Sequence, residues 1–142
     1  MKLANLAQDY MKRAKVRLRD ALTSYSSGDY PDVVRYSQEA VELSLKACLR
    51  AVGVEYPKEH DVSRVLKATS DRFPEWFKQE ISRLCDISAD LSSKRAPSLY
   101  GLEAIGKAPS EIFNKPDAYE ALSNAKHVFG IAEKFLKEIK IL

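Results

Sequence analysis

Two cysteines, two histidines and five glycines are all that this 142-residue chain holds of the residues that build metal centres, disulfide frameworks and phosphate loops. Cys48 and Cys85 have no metal-ligand spacing, and each falls on an apolar helix face, where a thiol serves as a small core residue. So few glycines, with hardly any β-branched alternation, argue against a sheet. No run approaches the twenty or so apolar residues of a membrane span. There is no glycine-rich phosphate loop, zinc pattern or nucleophile elbow, and hence no cofactor is expected. Internal repeats and low-complexity segments are also missing. Met1 to Tyr10 already reads as amphipathic helix rather than signal peptide, so a cytoplasmic protein is expected. A net charge of +3 permits nucleic-acid binding without demanding it.

What remains is helical periodicity. At this length the chain fits one domain, residues 1–142, with a core of its own. The stretch from Asp29 to Gly53 organises the rest. Asp29 is placed to cap, Pro31 fits the first turn, and Gly53 can take the left-handed conformation that ends a helix. Val34, Val41, Leu45, Cys48 and Val52 form one apolar stripe, with a second beside it through Val33, Tyr36, Ala40, Leu43, Ala47 and Ala51. A helix apolar over so much of its circumference is the central one of a bundle. Its polar stripe is Arg35, Gln38, Glu39, Glu42 and Lys46. Opposite charges four apart account for it as surface pairs worth about 0.3–0.5 kcal/mol each, and it can equally line a cleft.

A preceding helix, Lys2 to Tyr25, shows Leu3, Leu6, Ala7, Tyr10, Ala14, Leu18, Ala21, Leu22 and Tyr25 on one face. Lys12, Arg13, Lys15, Arg17 and Arg19 follow one another with no acid between Asp9 and Asp20, either as a solvated face or as a phosphate-facing patch. Ser26-Ser27-Gly28 is short enough to make these two helices antiparallel neighbours. After a loop stiffened by Pro57, Asp61 can cap a third helix, with His60 at its start fixing the loop or meeting a ligand. Pro74 restarts the helix, which buries Trp76, Phe77, Ile81, Leu84, Ser88 and Leu91. Asp86 and Asp90 share a face, but nothing completes an oxygen shell for a metal. Ser92 to Pro116 reads as irregular, with one turn from Ser110 to Phe113. The last helix turns Ala118, Ala121, Leu122, Ala125, Phe129, Ala132, Phe135, Leu136 and Ile139 inward and leaves His127 on the solvent side. The fold class is therefore all-α, an antiparallel up-and-down bundle of four to five helices.

A Gly-Asp-Tyr turn, a helix containing Gln-Glu-Ala-Val-Glu-Leu-Ser-Leu-Lys-Ala, then Gly53 and His60-Asp61-Val62 together resemble the HEPN domain family, named for a nucleotide-binding domain of higher eukaryotes and prokaryotes. The resemblance covers Leu6 to Leu91 and, more loosely, the last helix. It implies a small helical module that binds a nucleotide or RNA, forms two-fold dimers, and is encoded with a minimal nucleotidyltransferase as a toxin–antitoxin-like pair. Many HEPN proteins are metal-independent ribonucleases with an Arg and, after four to six intervening residues, a His. Here neither His60 nor His127 has such an arginine, and after Arg95 the place of the histidine falls to Tyr100 and Gly101. A phenol titrating near ~10 is a poor proton shuttle at neutral pH. Ribonuclease activity through Arg95 is thus the alternative reading, and a purely structural interaction module another. For phosphate and base contacts the candidates are Lys94, Arg95 and Tyr100 on the irregular connection. Lys46 and His60 come second and Arg35 last, since the turns of Arg35 and His60 lie about 25 Å apart along the helix.

Overall fold

In a computed structural model that describes residues 2–142, the four long amphipathic segments are the helices α1 (Lys2–Ser26), α2 (Tyr30–Ala51), α4 (Glu75–Tyr100) and α6 (Lys115–Glu138). Two short helices join them, α3 (Ser63–Ala68) and α5 (Pro109–Ile112). Single 3-10 turns at Ser70–Arg72 and Glu103–Ile105 complete the connections. Among the described residues the only extended pairing is one isolated bridge between Leu102 and Lys107. The all-α expectation holds.

α2 lies between α1, α4 and α6. It starts as its sequence directs, with the Asp32 amide donating to the Asp29 carboxylate at 3.4 Å and Pro31 in the first turn. It ends at Gly53, whose φ of +76° suits glycine and few other residues. Val33, Val34, Ala40, Ala47, Cys48 and Leu49 are wholly buried along it, and Leu45 is 1% exposed. Contacts between sequence-distant residues give the directions. Arg17 meets Glu39 while Tyr10 lies beside Lys46 and Arg50, so α1 and α2 run antiparallel. The Trp76 indole donates to Glu138 at 2.8 Å, which sets the start of α4 against the end of α6. At that end Phe73, Phe77 and Phe135 form the aromatic centre of the core. At the other, Ala21, Val33, Ala118 and Leu122 close a smaller cluster under Tyr25 and Tyr30.

Three departures from the sequence reading matter. Ser92 to Tyr100 is not irregular: α4 continues through Pro97, a residue that costs a helix interior about 3 kcal/mol. The burial stripe of Ile87 and Leu91 runs on to Ser98 against the bundle, and that packing outweighs the one hydrogen bond lost at the helix end. Gly101 then stops the helix, because a Cβ there would lie 2.0 Å from the Lys107 carbonyl oxygen. Leu3, Leu6 and Leu22, on an edge of α1 that no described element covers, and Ile139, just past the end of α6, were read as inward-facing and are each 39–45% exposed. His127 is not free in solvent, since its Nε2 lies 3.0 Å from Glu80 of α4. Asp61 was expected to cap α3, but the cap position falls to Val62; Asp61, one residue earlier, accepts from the Ser63 amide and the Ser88 hydroxyl. No cluster suited to a metal ion occurs among the described residues.

Cys48 and Cys85 are free, buried thiols. Burial raises both above the ordinary range, Cys85 to about 11.

Leu45→Asp should abolish folding, because an unpaired charge in this core costs several kcal/mol. A cooperatively melting, helical Leu45→Asp protein in circular dichroism would show that α2 is not the buried element.

Candidate functional site

The polar stripe of α2 is built into the protein as a network rather than as isolated surface pairs. Glu39 receives cations from three helices. Arg17 of α1 comes within 3.0 Å through Nε, Arg95 of α4 within 2.8 Å through Nη1, and Arg35 one turn away within 3.7 Å. Glu42 forms the second node. Lys46 Nζ donates to it at 2.7 Å, Gln38 Nε2 at 2.9 Å, and His60 Nδ1 lies 2.9 Å away. Gln38, 1% exposed, joins the nodes: its amide donates to Glu42 while its carbonyl accepts from Arg95 at 2.9 Å. Burial would push the Glu42 carboxyl up, but hydrogen bonds from Lys46, Gln38 and His60 outweigh it and hold the group below its ordinary value.

Two cavities open along this network. One of about 220 Å³ is lined by Arg13, Arg17, Glu39, Glu42, Leu43, His60 and Arg95. The other, about 430 Å³, is lined by Tyr10, Arg13, Glu42, Leu43, Lys46, Arg50, Tyr56 and Lys58. Arg13, Glu42 and Leu43 border both, so the two form one groove between α1, α2 and the 54–62 loop. Tyr56 forms part of its wall, with the Arg50 guanidinium 4.7 Å and the Lys46 ammonium 5.1 Å from its ring centre. Burial, reinforced by a hydrogen bond with Tyr10, pushes the Tyr56 phenol up to about 12, so it remains neutral.

The candidate residues read from sequence separate into two groups. Arg95, Lys46 and His60 come together on the groove, and Arg35 adjoins it through Glu39. The 54–62 loop doubles back along α2, which puts His60 beside Glu42, only two turns or about 10 Å from Arg35. Lys94 faces elsewhere and pairs with Asp90 at 2.9 Å. Tyr100 is 65% exposed and lines a separate cavity with Pro97, Leu102 and Ile105. Because α4 is continuous here, Arg95 and Tyr100 are held on a rigid helix rather than a flexible connection.

Arg50, Tyr56 and Lys58 were not among the candidates, and Arg13 and Arg17 entered only through the phosphate-facing reading of the α1 basic run. A signal for some of them existed. Tyr10, Arg13 and Arg17 recur at three- and four-residue spacing, and Arg50 extends the α2 stripe four residues beyond Lys46. The basic run of α1 is therefore two sets, with Arg13 and Arg17 on the groove and Lys12, Lys15 and Arg19 beside an apolar hollow with Val16 and Leu22.

A family model described as HEPN domain matches residues 7–142. The chain is 30% identical over 138 residues to a Methanocaldococcus jannaschii protein named "Putative toxin MJ1304", covering 93% of this chain and 89% of that one. Among solved structures it superposes on TT1696 from Thermus thermophilus with a TM-score of 0.72 at 25% identity, over 92% of this chain and 98% of that one. ST0689, described as an archaeal HEPN homologue, gives a TM-score of 0.69 at 23% identity, over 90% and 95% of the two chains, and attests the fold.

Glu42 supplies a pH-dependent test of the network. Its folded-state pKa lies below the unfolded value, so its pairing stabilises the fold above the unfolded carboxylate pKa and is lost as pH falls through the folded one. Thermal melts of the parent and of Glu42→Gln should differ most near neutral pH and converge as pH falls through the lowered folded-state value. A difference that stays constant with pH would mean that the charge on Glu42 does not hold the network together.

Proposed function

Because this chain belongs to the HEPN domain family, we propose that it is a nucleotide- or RNA-binding HEPN module acting in a toxin–antitoxin-like pair, with a minimal nucleotidyltransferase as its partner. The observation that carries the binding part is electrostatic. Six cations, Arg13, Arg17, Lys46, Arg50, Lys58 and Arg95, border the groove against two carboxylates, Glu39 and Glu42. That excess is larger than the net charge of +3 on the whole chain. Clustered cations attract a polyanion chiefly by releasing its condensed counterions, so affinity of this origin falls steeply with salt. The name of the Methanocaldococcus jannaschii relative supports the toxin–antitoxin part. The partner rests on the family resemblance.

A second reading, metal-independent RNA cleavage, is favoured by one feature. Arg95 and His60, far apart in sequence, line the same cavity. With Nδ1 of His60 engaged by Glu42, Nε2 is left to face a ligand, and a guanidinium nearby can stabilise phosphate charge. Against it, the Arg95 charge is already answered by Glu39, with Nη1 donating to Glu39 and Gln38. Binding is the better-supported activity.

Assembly as a homodimer is part of the same proposal. Tyr100, Ile105 and Tyr119 are each 64–66% exposed, more large apolar surface than a small monomer needs to leave uncovered. Light scattering at micromolar concentration should return twice the chain mass of 16.0 kDa, and a monomer mass would remove the dimer from this reading.

Labelled single-stranded RNA should raise its anisotropy on titration with the protein at ~50 mM salt and bind many-fold more weakly at ~200 mM. RNA that stays intact in the presence of a chelator distinguishes binding from metal-independent cleavage. No binding of RNA or nucleoside triphosphates at the lower salt would sink the proposal.

A further inference from the structure

The groove has cations of two kinds. Arg17 and Arg95 are held by Glu39, and Lys46 by Glu42, so their charge is largely answered within the fold. Arg13, Arg50 and Lys58 enter no ion pair among the described residues. The Arg50 Nε is in addition shielded from solvent with no acceptor. All three border the larger cavity, and Arg13 also borders the smaller one. They come from separate elements, α1, the end of α2 and the 54–62 loop, so chance spacing along one helix does not account for their convergence.

We infer that the phosphate-contacting part of the groove is the cavity bordered by Arg13, Arg50 and Lys58, which takes the sugar–phosphate backbone of a single-stranded RNA, and that the Arg95 end positions the groove rather than gripping phosphate. The inference rests on the binding reading above and gives it a place. The charge of Arg13, Arg50 and Lys58 meets no carboxylate partner among the described residues and is available to a phosphate, whereas that of Arg95 is already answered by Glu39. The shape favours a strand over a compact triphosphate. Backbone N–H groups of a glycine loop or a helix N-terminus commonly hold a triphosphate, whereas this cavity is bordered by the middle of α1, the end of α2 and the 54–62 loop. The cavity continues past Arg13 into the smaller one, so successive phosphates can follow the line from Lys58 to Arg13. Tyr56 fixes the cations: its ring lies beneath Arg50 and Lys46, and as a neutral phenol it leaves their charge undiminished.

The test compares Arg13→Gln/Lys58→Gln with Lys12→Gln/Lys15→Gln, which removes the same charge from the part of α1 that borders the other hollow. Both pairs are exposed and outside the ion-pair network, so thermal melts should match the parent. Anisotropy titrations with a single-stranded RNA of about 12 nucleotides, over a range of salt, are the measurement. The groove variant should bind roughly tenfold or more weakly at physiological salt, with a log–log salt slope shallower by about 1.4, the share of two phosphate contacts on a single strand. The control variant should keep most of the parent's affinity and slope. Equal losses in the two variants, or unchanged affinity in the groove variant, would overturn this placement while leaving RNA binding standing. ATP displacing the RNA at equimolar concentration would overturn the strand and favour a free nucleotide. A parent that binds neither ligand would overturn the functional reading and this one together.

Discussion

Glu39 stands where three helices meet, and a carboxylate in such a crevice is tolerable only if cations reach it from the elements that enclose it. Arg17 and Arg95 do so from α1 and α4, and Arg35 from α2 itself. Apolar packing is non-directional and leaves a helix some freedom to rotate about its axis. Charged hydrogen bonds from both sides to one carboxylate remove that freedom. Gln38 extends the constraint to Glu42, because its amide can satisfy Arg95 and Glu42 only in one orientation. Through Glu42 the constraint passes to His60 and thus to the loop that forms the far wall of the groove.

The groove follows from this arrangement. Acids in its floor draw in the cations nearest to them, and the cations at its open side keep their charge for an outside partner. Glu39 and Glu42 therefore do not merely reduce the positive potential. They fix which cations are structural and which are available. A floor of apolar residues would have left every arginine free to follow solvent, with the ordering entropy still to be lost on binding.

The bundle was legible because its evidence was local. Asp29, Pro31 and Gly53 set the limits of α2 through caps and a left-handed turn, and the apolar stripes of α2 and α6 reported burial directly. Pro97 misled, since local chemistry argued for a break and tertiary packing of the Leu91–Ser98 face overrode it. Leu3, Leu6 and Leu22 misled in the opposite sense: they continue the periodicity of α1 beyond the edge that the other helices cover. In the site, Arg95, Lys46 and His60 were each named from sequence, but their common attachment to Glu39, Gln38 and Glu42 links positions up to 57 apart in sequence. No periodicity within one helix carries that information. Lys58 had no pattern at all, because a loop's path back along a helix is decided by what it packs on, here Tyr56 against Tyr10, Lys46 and Arg50.

The two native thiols have a practical side. Cys48 and Cys85 are both sequestered, and both stay protonated well above neutral pH because burial disfavours the thiolate. The thiolate is the species that maleimides and iodoacetamides attack. A cysteine introduced on the rim of the groove would thus be the one reactive sulfur in a chain that needs no prior removal of its own. A single fluorophore or spin probe could then follow local motion of the 54–62 loop, with the interior of the bundle left chemically untouched.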